Sequence, residues 1–409
     1  MKLHKSLAEA CTQAIFNIMV ENRHANRTIE NLLKSNKKWG ARDRSFIAEH
    51  CWEMIRWWRL ILECTNCDTK NITHNECYTL LATWLIIKPL HLENKTETAI
   101  PNWVEFEKID SDNIKQKYFS VKSERKIIHS IPDWLDEIGE NEIGKNWNEI
   151  LTSLNTTAPL DIRINTLKGN KNEIIKALED NEIQTFETEK DALRLSKKIN
   201  IHRHPLYLAG HFEVQDLGSQ KIAQFLNPQP GEIVIDGCAG AGGKALHMAT
   251  IMQNKGKITA MDIENFKLIE LQKRAQRNGI NIINSQLINP EALKNLYQSA
   301  DKILLDVPCS GLGVLRRNPD AKWKLNLEFI AEIKKTQAYI LENYSKMLKP
   351  GGTLVYATCS ILPSENEKQI ANFIHNNPNE WTLIEQKSTN PYTDVCDGFY
   401  MAKLIKKNV

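Results

Sequence analysis

The sequence predicts an α/β protein. A doubly wound, mostly parallel sheet is expected over residues 213–409, after a small α+β module at 126–212 and an all-helical region at 1–125. Three observations carry this. Apolar residues recur at helical spacing near the N-terminus, the middle follows a β-α-β-β order, and from about residue 213 apolar strands alternate with helical stretches. At 409 residues the chain exceeds one ordinary core.

In LAEACTQAIFNIM the positions Leu7, Cys11, Ala14, Ile15 and Ile18 share one helix face. RSFIAEHCWEMIRWWRLILEC likewise aligns Ile47, Cys51, Ile55, Trp58 and Leu62, with Trp52 and Trp57 adding apolar bulk for a core. Polar residues interrupt every apolar run of MKLHKSLAEACTQAIFN, so no secretory signal is expected. No run of about 18 apolar residues is present to span a bilayer. The nine cysteines then read as free thiols in a reducing cytoplasm. Cys64, Cys67, His74 and Cys77 suggest a tetrahedral metal set, but their spacing fits no common zinc pattern and no metal is expected.

The middle module reads as LDIRINTL (strand), NEIIKALEDN (helix) and two short strands, IQTFET and ALRLS. Its basic residues Arg163, Lys168, Arg194, Lys197 and Lys198 suit either a phosphate backbone or a solvated face. The net charge of +3 decides nothing about a nucleic-acid partner.

In the last region, EIVIDGCA, KITAMDIE, KILLDVPC and GGTLVYATC read as strands, with a helix from Asn265 to Asn278. Ligands in such a sheet sit beyond the carboxyl ends of the strands. There the sequence places DGCAGAGGKA (236–245), whose glycines permit a tight turn and close backbone approach. Asp262 closes the next strand, where a carboxylate suits a ribose diol. Gly240, Gly242 and Ala245 also satisfy G-x-G-x-x-A, so a nicotinamide cofactor and S-adenosylmethionine fit this loop equally. DVPCSG (306–311) and ATCS (357–360) separate the two, because each ends a strand in a cysteine.

Two thiols beside a carboxyl group suit methylation of cytosine at C5. A thiolate adding to C6 turns C5 into a nucleophile, and a proton given to N3 by a nearby carboxylic acid stabilises the developing charge. An ordinary thiol is roughly 3% ionised at neutral pH, a penalty of about 2 kcal/mol. The target base must be flipped out of its stack to reach such a site.

At these motifs the chain resembles the Nop/Sun (RsmB-type, Fmu) family of RNA cytosine-5 methyltransferases, in its bacterial ribosomal-RNA branch. IPDWL with Gly144, APLDIRINTLK, GHFEVQDLGSQ, DGCAGAGGK, DVPCSGLGVLRRNPD, LKPGGTLVYATCS, PSENE and DGFYMAKL follow in family order over residues 129–404. NKKWGARDRSFIAEHCWEMIRW (36–57) resembles that branch's NusB-like, RNA-binding helical domain. The resemblance implies a Rossmann-like class I methyltransferase sheet, S-adenosylmethionine as cofactor and RNA as partner, small-subunit ribosomal RNA before transfer RNA. It implies Cys359 as the C6 nucleophile, Cys309 as the cysteine assisting release, and Asp306 facing both base and methyl donor. Cys238, Ala239, Gly240, Ala241, Gly242, Gly243, Lys244, Asp262 and Asn289 would hold the cofactor. Lys244, Pro308, Arg316 and Arg317 would meet the substrate, the arginines at phosphate. Two departures stand out: Ala241 replaces a usual proline, and Asn289 replaces an aspartate expected near adenine. Lys273, Arg274 and Arg277 read as a solvated helix face, and the protein as a monomer. A non-catalytic RNA-binding assembly factor on the same fold is the alternative from another class.

Overall fold

The computed structural model describes residues 3–65, 71–93, 98–197 and 199–408. Two compact units divide the chain. One comprises residues 1–155 with 318–325, the other 156–317 with 326–409.

The first unit is helical. The predicted N-terminal stripe is buried on the helix Lys5–Ile15, and Ile47, Cys51 and Ile55 line the core from Ala41–Arg56. The long second stripe is not one helix. It breaks at Trp57, whose backbone leaves helical geometry, and resumes as Trp58–Cys64. A helix end leaves carbonyls without partners, and here residues 318–325 supply them. Lys322 Nζ donates to the Arg56 carbonyl at 2.9 Å and Trp323 Nε1 to that of Ile55 at 2.7 Å. Cys64 and Cys77 are buried in this core. Cys67 lies outside the described residues, and so does Lys198.

The helical unit extends past the expected boundary at 125. Arg59 donates to the Ile131 carbonyl at 2.8 Å and Arg56 to that of Leu154 at 3.2 Å, so the helices through Trp147–Leu154 fold with it. Long-range side-chain bonds set this boundary, and no change of composition marks it.

The second unit opens with a small antiparallel sheet. Its strands β1 (Leu160–Ile164), β2 (Thr185–Glu187), β3 (Ala192–Leu195) and β4 (Phe212–Val214) lie in the order β2-β3-β1-β4. Ile162, Ile164, Leu193 and Phe212 pack on the helix Lys171–Glu179 through Ile174 and Leu178. β4 straddles the boundary expected at 212/213 and was not among the predicted strands. Seven further strands follow: β5 (Ile233–Asp236), β6 (Lys257–Asp262), β7 (Ile283–Leu287), β8 (Ala300–Asp306), β9 (Leu348–Thr358), β10 (Trp381–Thr389) and β11 (Phe399–Lys406). Their order is β10-β11-β9-β8-β5-β6-β7. The five from β9 to β7 are parallel, as the strand–helix alternation predicts; β11 and β10 add an antiparallel edge. The chain winds outward from β5 through β6 to β7, then returns to β8 on the other side of β5. That reversal opens a crevice beyond the ends of β5 and β8.

Candidate active site

The glycine loop leaves β5 at Asp236 and is tied down on all sides. Gly237 N–H donates to the Leu304 carbonyl at 2.9 Å and Ala239 N–H to that of Met261 at 2.8 Å. Gly242 has φ +87°, and a Cβ there would stand 2.5 Å from Leu271 Cγ, so this position requires glycine. At Gly240 a Cβ would meet nothing within 4 Å, which leaves that side of the loop open. Asp262, at the end of β6, accepts from the Gly240 and Glu264 N–H groups, each at 2.9 Å. It shapes the loop as well as facing the crevice.

Two arginines hold the loop's carbonyls. Arg274 donates to Ala241 at 2.7 Å and Arg163 to Gly243 at 2.8 Å. Buried Glu213, on β4 opposite Arg163, accepts from Arg274 at 2.9 Å, from Asn278 at 2.6 Å, and from Arg277. Burial works against the Glu213 charge, but Arg274 and the hydrogen bonds of Asn278 and Arg277 hold its carboxyl below the ordinary value. The expected solvated face at Arg274 and Arg277 is therefore an internal ion network, and only Lys273 remains exposed. Arg163 does not face phosphate either. Arg194 pairs with buried Asp161 at 2.7 Å, and Lys168 donates to the Ala209 and Arg277 carbonyls.

The two cysteines meet. Cys309 follows β8 and Cys359 follows β9, and their sulfurs lie 3.2 Å apart, both half-buried. The hydrogen bond with Cys359, and then burial, push the Cys309 thiol well above its ordinary value. Pro308 beside it is exposed. Asp306 accepts from Lys244 Nζ at 2.5 Å. Burial would lower the Lys244 ammonium, but the Asp306 charge and hydrogen bond outweigh it and raise the value. Burial also pushes the Cys238 thiol well up, and Asp236 adds to the effect.

Asp236 lies outside the set expected from sequence. It is buried, and neither carboxyl oxygen makes a hydrogen bond of ordinary geometry. Burial, and then the charge of Asp306, push it up to about 7. Its sequence signal was its place, directly before the glycine loop.

One expectation is corrected. Arg316 is buried with Nε on Asp397 at 2.5 Å, and Arg317 donates to Asp216 at 2.7 Å and to Asp397. These partners lie about a hundred and eighty residues apart, so the tandem reads as a basic loop although the fold closes it on carboxylates. Asn289 caps the helix Pro290–Asn295, its Oδ1 accepting from the Ala292 N–H at 2.8 Å. The oxygen keeps a second lone pair for a ligand, and the amide NH2 remains a donor.

The family model described as 16S rRNA methyltransferase RsmB/F matches residues 223–405, and that of the RsmF/B-like ferredoxin-like domain matches 131–202. The probable ribosomal RNA small subunit methyltransferase B of Synechocystis is 37% identical over 68% of this chain and 67% of its own. Ribosomal RNA small subunit methyltransferase B of Shewanella oneidensis is 34% identical over 72% and 71%. The chain belongs to the RsmB/F methyltransferase family. A methyltransferase homolog protein from Pyrococcus horikoshii, 27% identical, superposes with a TM-score of 0.60 over 69% of this chain and 97% of that one. The crystal structure of PH0851 reaches a TM-score of 0.80 over 98% and 99%, at 23% identity, and supports the fold. Among the described residues no helix is long and apolar enough to cross a membrane.

Proposed function

We propose that this RsmB/F protein forms 5-methylcytosine in small-subunit ribosomal RNA, with S-adenosylmethionine as methyl donor. The observation that carries the reading is the pair of thiols 3.2 Å apart at the strand ends, next to the Lys244–Asp306 pair. The crevice also suits the cofactor. Asp236, Asp262 and Asp306 set three carboxyl groups around it against Lys244. A ligand carrying a sulfonium and an ammonium would complement that surplus. When bound, the cofactor supplies an electrophilic methyl group.

The chain's own residues do the rest. Cys359 adds to C6 of the flipped cytosine, and charge gathers at N3. Lys244 carries a proton there, oriented by Asp306. Once C5 is methylated, its proton passes to solvent, the N3 proton returns to Lys244, and the Cys359–C6 bond breaks. Cys309 holds its own proton at neutral pH and stands beside the departing sulfur, so it is placed to protonate it. Exposed Pro308 would border the base. In the helical unit, a groove of about 580 Å³ lined by Asn17, Arg23, His24, Arg27 and Asn31 offers a basic surface for RNA, in keeping with the NusB-like resemblance.

Cys359→Ala should abolish methyl transfer to small-subunit RNA. Cys309→Ala should leave a covalent RNA–protein adduct, seen as a retarded band on a denaturing gel. Adduct from the Cys359 variant and none from the Cys309 variant would exchange their roles. Bisulfite sequencing of RNA from cells with and without the gene then identifies the cytosine. A lost signal in transfer RNA would change the substrate and keep the chemistry. Unchanged RNA, together with no binding of S-adenosylmethionine, would favour the non-catalytic assembly factor.

A further inference from the structure

The loops after β8 and β9 repeat one design. Each reads Cys-Ser-x-Leu, as Cys309-Ser310-Gly311-Leu312 and Cys359-Ser360-Ile361-Leu362. In each, the leucine N–H donates to the serine hydroxyl, at 3.4 Å for Leu312 and 3.1 Å for Leu362. The serines therefore have their own protons left to give, and both give them to one atom. Ser310 Oγ and Ser360 Oγ each donate to Glu365 Oε1 at 2.5 Å. The other carboxyl oxygen accepts from the Ser310 N–H at 2.8 Å and from Gln337 Nε2 at 2.9 Å. Glu365 is fully buried, and all four of these bonds reach it from donors. A carboxylate only accepts, so it satisfies such a ring, whereas an amide would turn an NH2 against one pair of donors.

From this we infer that Glu365 is the positioning residue that sets the separation of the two thiols, and that it acts mainly on Cys309. The asymmetry lies in the supports. Three of the four bonds serve the Cys309 side: both Ser310 donors, and Gln337, which also donates to the Pro308 carbonyl at 3.1 Å. The Cys359 loop has further ties of its own. Asn366 donates to the Ser360 carbonyl at 3.0 Å and shares a hydrogen bond with Thr358. Loss of the Glu365 acceptors would free Cys309 first while Cys359 stays in place. The consequence rests on the roles proposed above: attack continues and release slows.

The test uses the full chain, S-adenosylmethionine and a transcript of the small-subunit RNA, with E365Q compared to Cys309→Ala. For E365Q, turnover should fall about 10–100-fold, the range a misplacement near 1 Å produces. Adduct should accumulate as in the Cys309 variant, while cofactor affinity stays within about twofold of the parent. Ser310→Ala should shift the balance the same way by less, and Ser360→Ala should not build adduct. These serine variants decide the matter where E365Q fails to fold. Turnover and adduct falling together in E365Q and Ser310→Ala, with folding intact, would overturn the inference, as would unchanged turnover. A Cys309→Ala variant without adduct would instead overturn the proposed roles of the cysteines, whatever Glu365 does.

Discussion

One buried cation of the helical unit and three cations of the catalytic unit are held in opposite ways. In the helical unit Lys322 is buried against the backbone, donating to the Arg56 carbonyl, and burial followed by the nearby Arg56 charge depresses its ammonium well below the ordinary lysine value. In the catalytic unit Arg274, Arg277 and Arg316 meet carboxylates on Glu213 and Asp397. The lone cation closes a helix end. The paired ones fix where the glycine loop and the neighbouring loops lie. Burial alone does not tell the two apart; the partner does.

Removing a carboxylate should cost most, because it strands cations inside the protein. Glu213→Gln is expected to lose about 3–5 kcal/mol of stability. It should also weaken S-adenosylmethionine binding, since Arg274 then holds the Ala241 carbonyl less well. Chemical denaturation with cofactor titration measures both, and a stability loss without a change in affinity would detach the arginines from the site.

Asp236 gives the next largest effect. A carboxyl moved from 3.8 to about 7 by burial binds its proton more tightly when folded, which corresponds to at most about 4 kcal/mol. Its contribution is unfavourable once ionised, so stability should fall as pH rises from about 4 to 7 and level off above. Asp236→Asn should remove that slope and leave the cofactor-free protein more stable at pH 8, as thermal unfolding against pH would show. An unchanged slope would mean that Asp236 is not the group responsible.

Lys322→Met should have the smallest effect, within about 1 kcal/mol at neutral pH, because relief of the buried amine offsets the lost bond to Arg56. The signature lies in the pH dependence. A depressed lysine binds fewer protons when folded, so the parent should gain stability as pH rises toward 10.5, and the variant should lack that gain. A large loss at neutral pH would instead mean that the bond to Arg56 matters more than the buried charge.

The parallel strands β5, β6, β8 and β9 were legible because central strands are buried on both faces and read as apolar runs, whereas the parallel edge strand β7, INSQL, is exposed beyond its first residue and was not read as a strand. β10, WTLIEQKST, was not, since most of its residues are exposed and it has no such run. The site divided along a similar line. Cys309, Cys359, Asp306 and the glycine loop stand at strand ends, where order along the chain fixes their place. Arg316 and Arg317 did not read correctly because Asp216 and Asp397 are remote in sequence. Arg163 and Glu213 resemble the polar face of a half-exposed strand, and only the fold shows that face buried against the glycine loop. Glu365 was visible within PSENE as a motif but carried no role, since four donors from three segments define it.

Residues 318–325 fold with the helical unit although they are encoded within the catalytic one. The order of synthesis therefore differs from the order of completion. A ribosome finishes the N-terminal helices early, but the carbonyls of Ile55 and Arg56 wait for Trp323 and Lys322 until most of the methyltransferase sheet has also emerged. The N-terminal region thus reaches its final form only late in its own translation, and a fragment ending at residue 155 would lack its last structural piece.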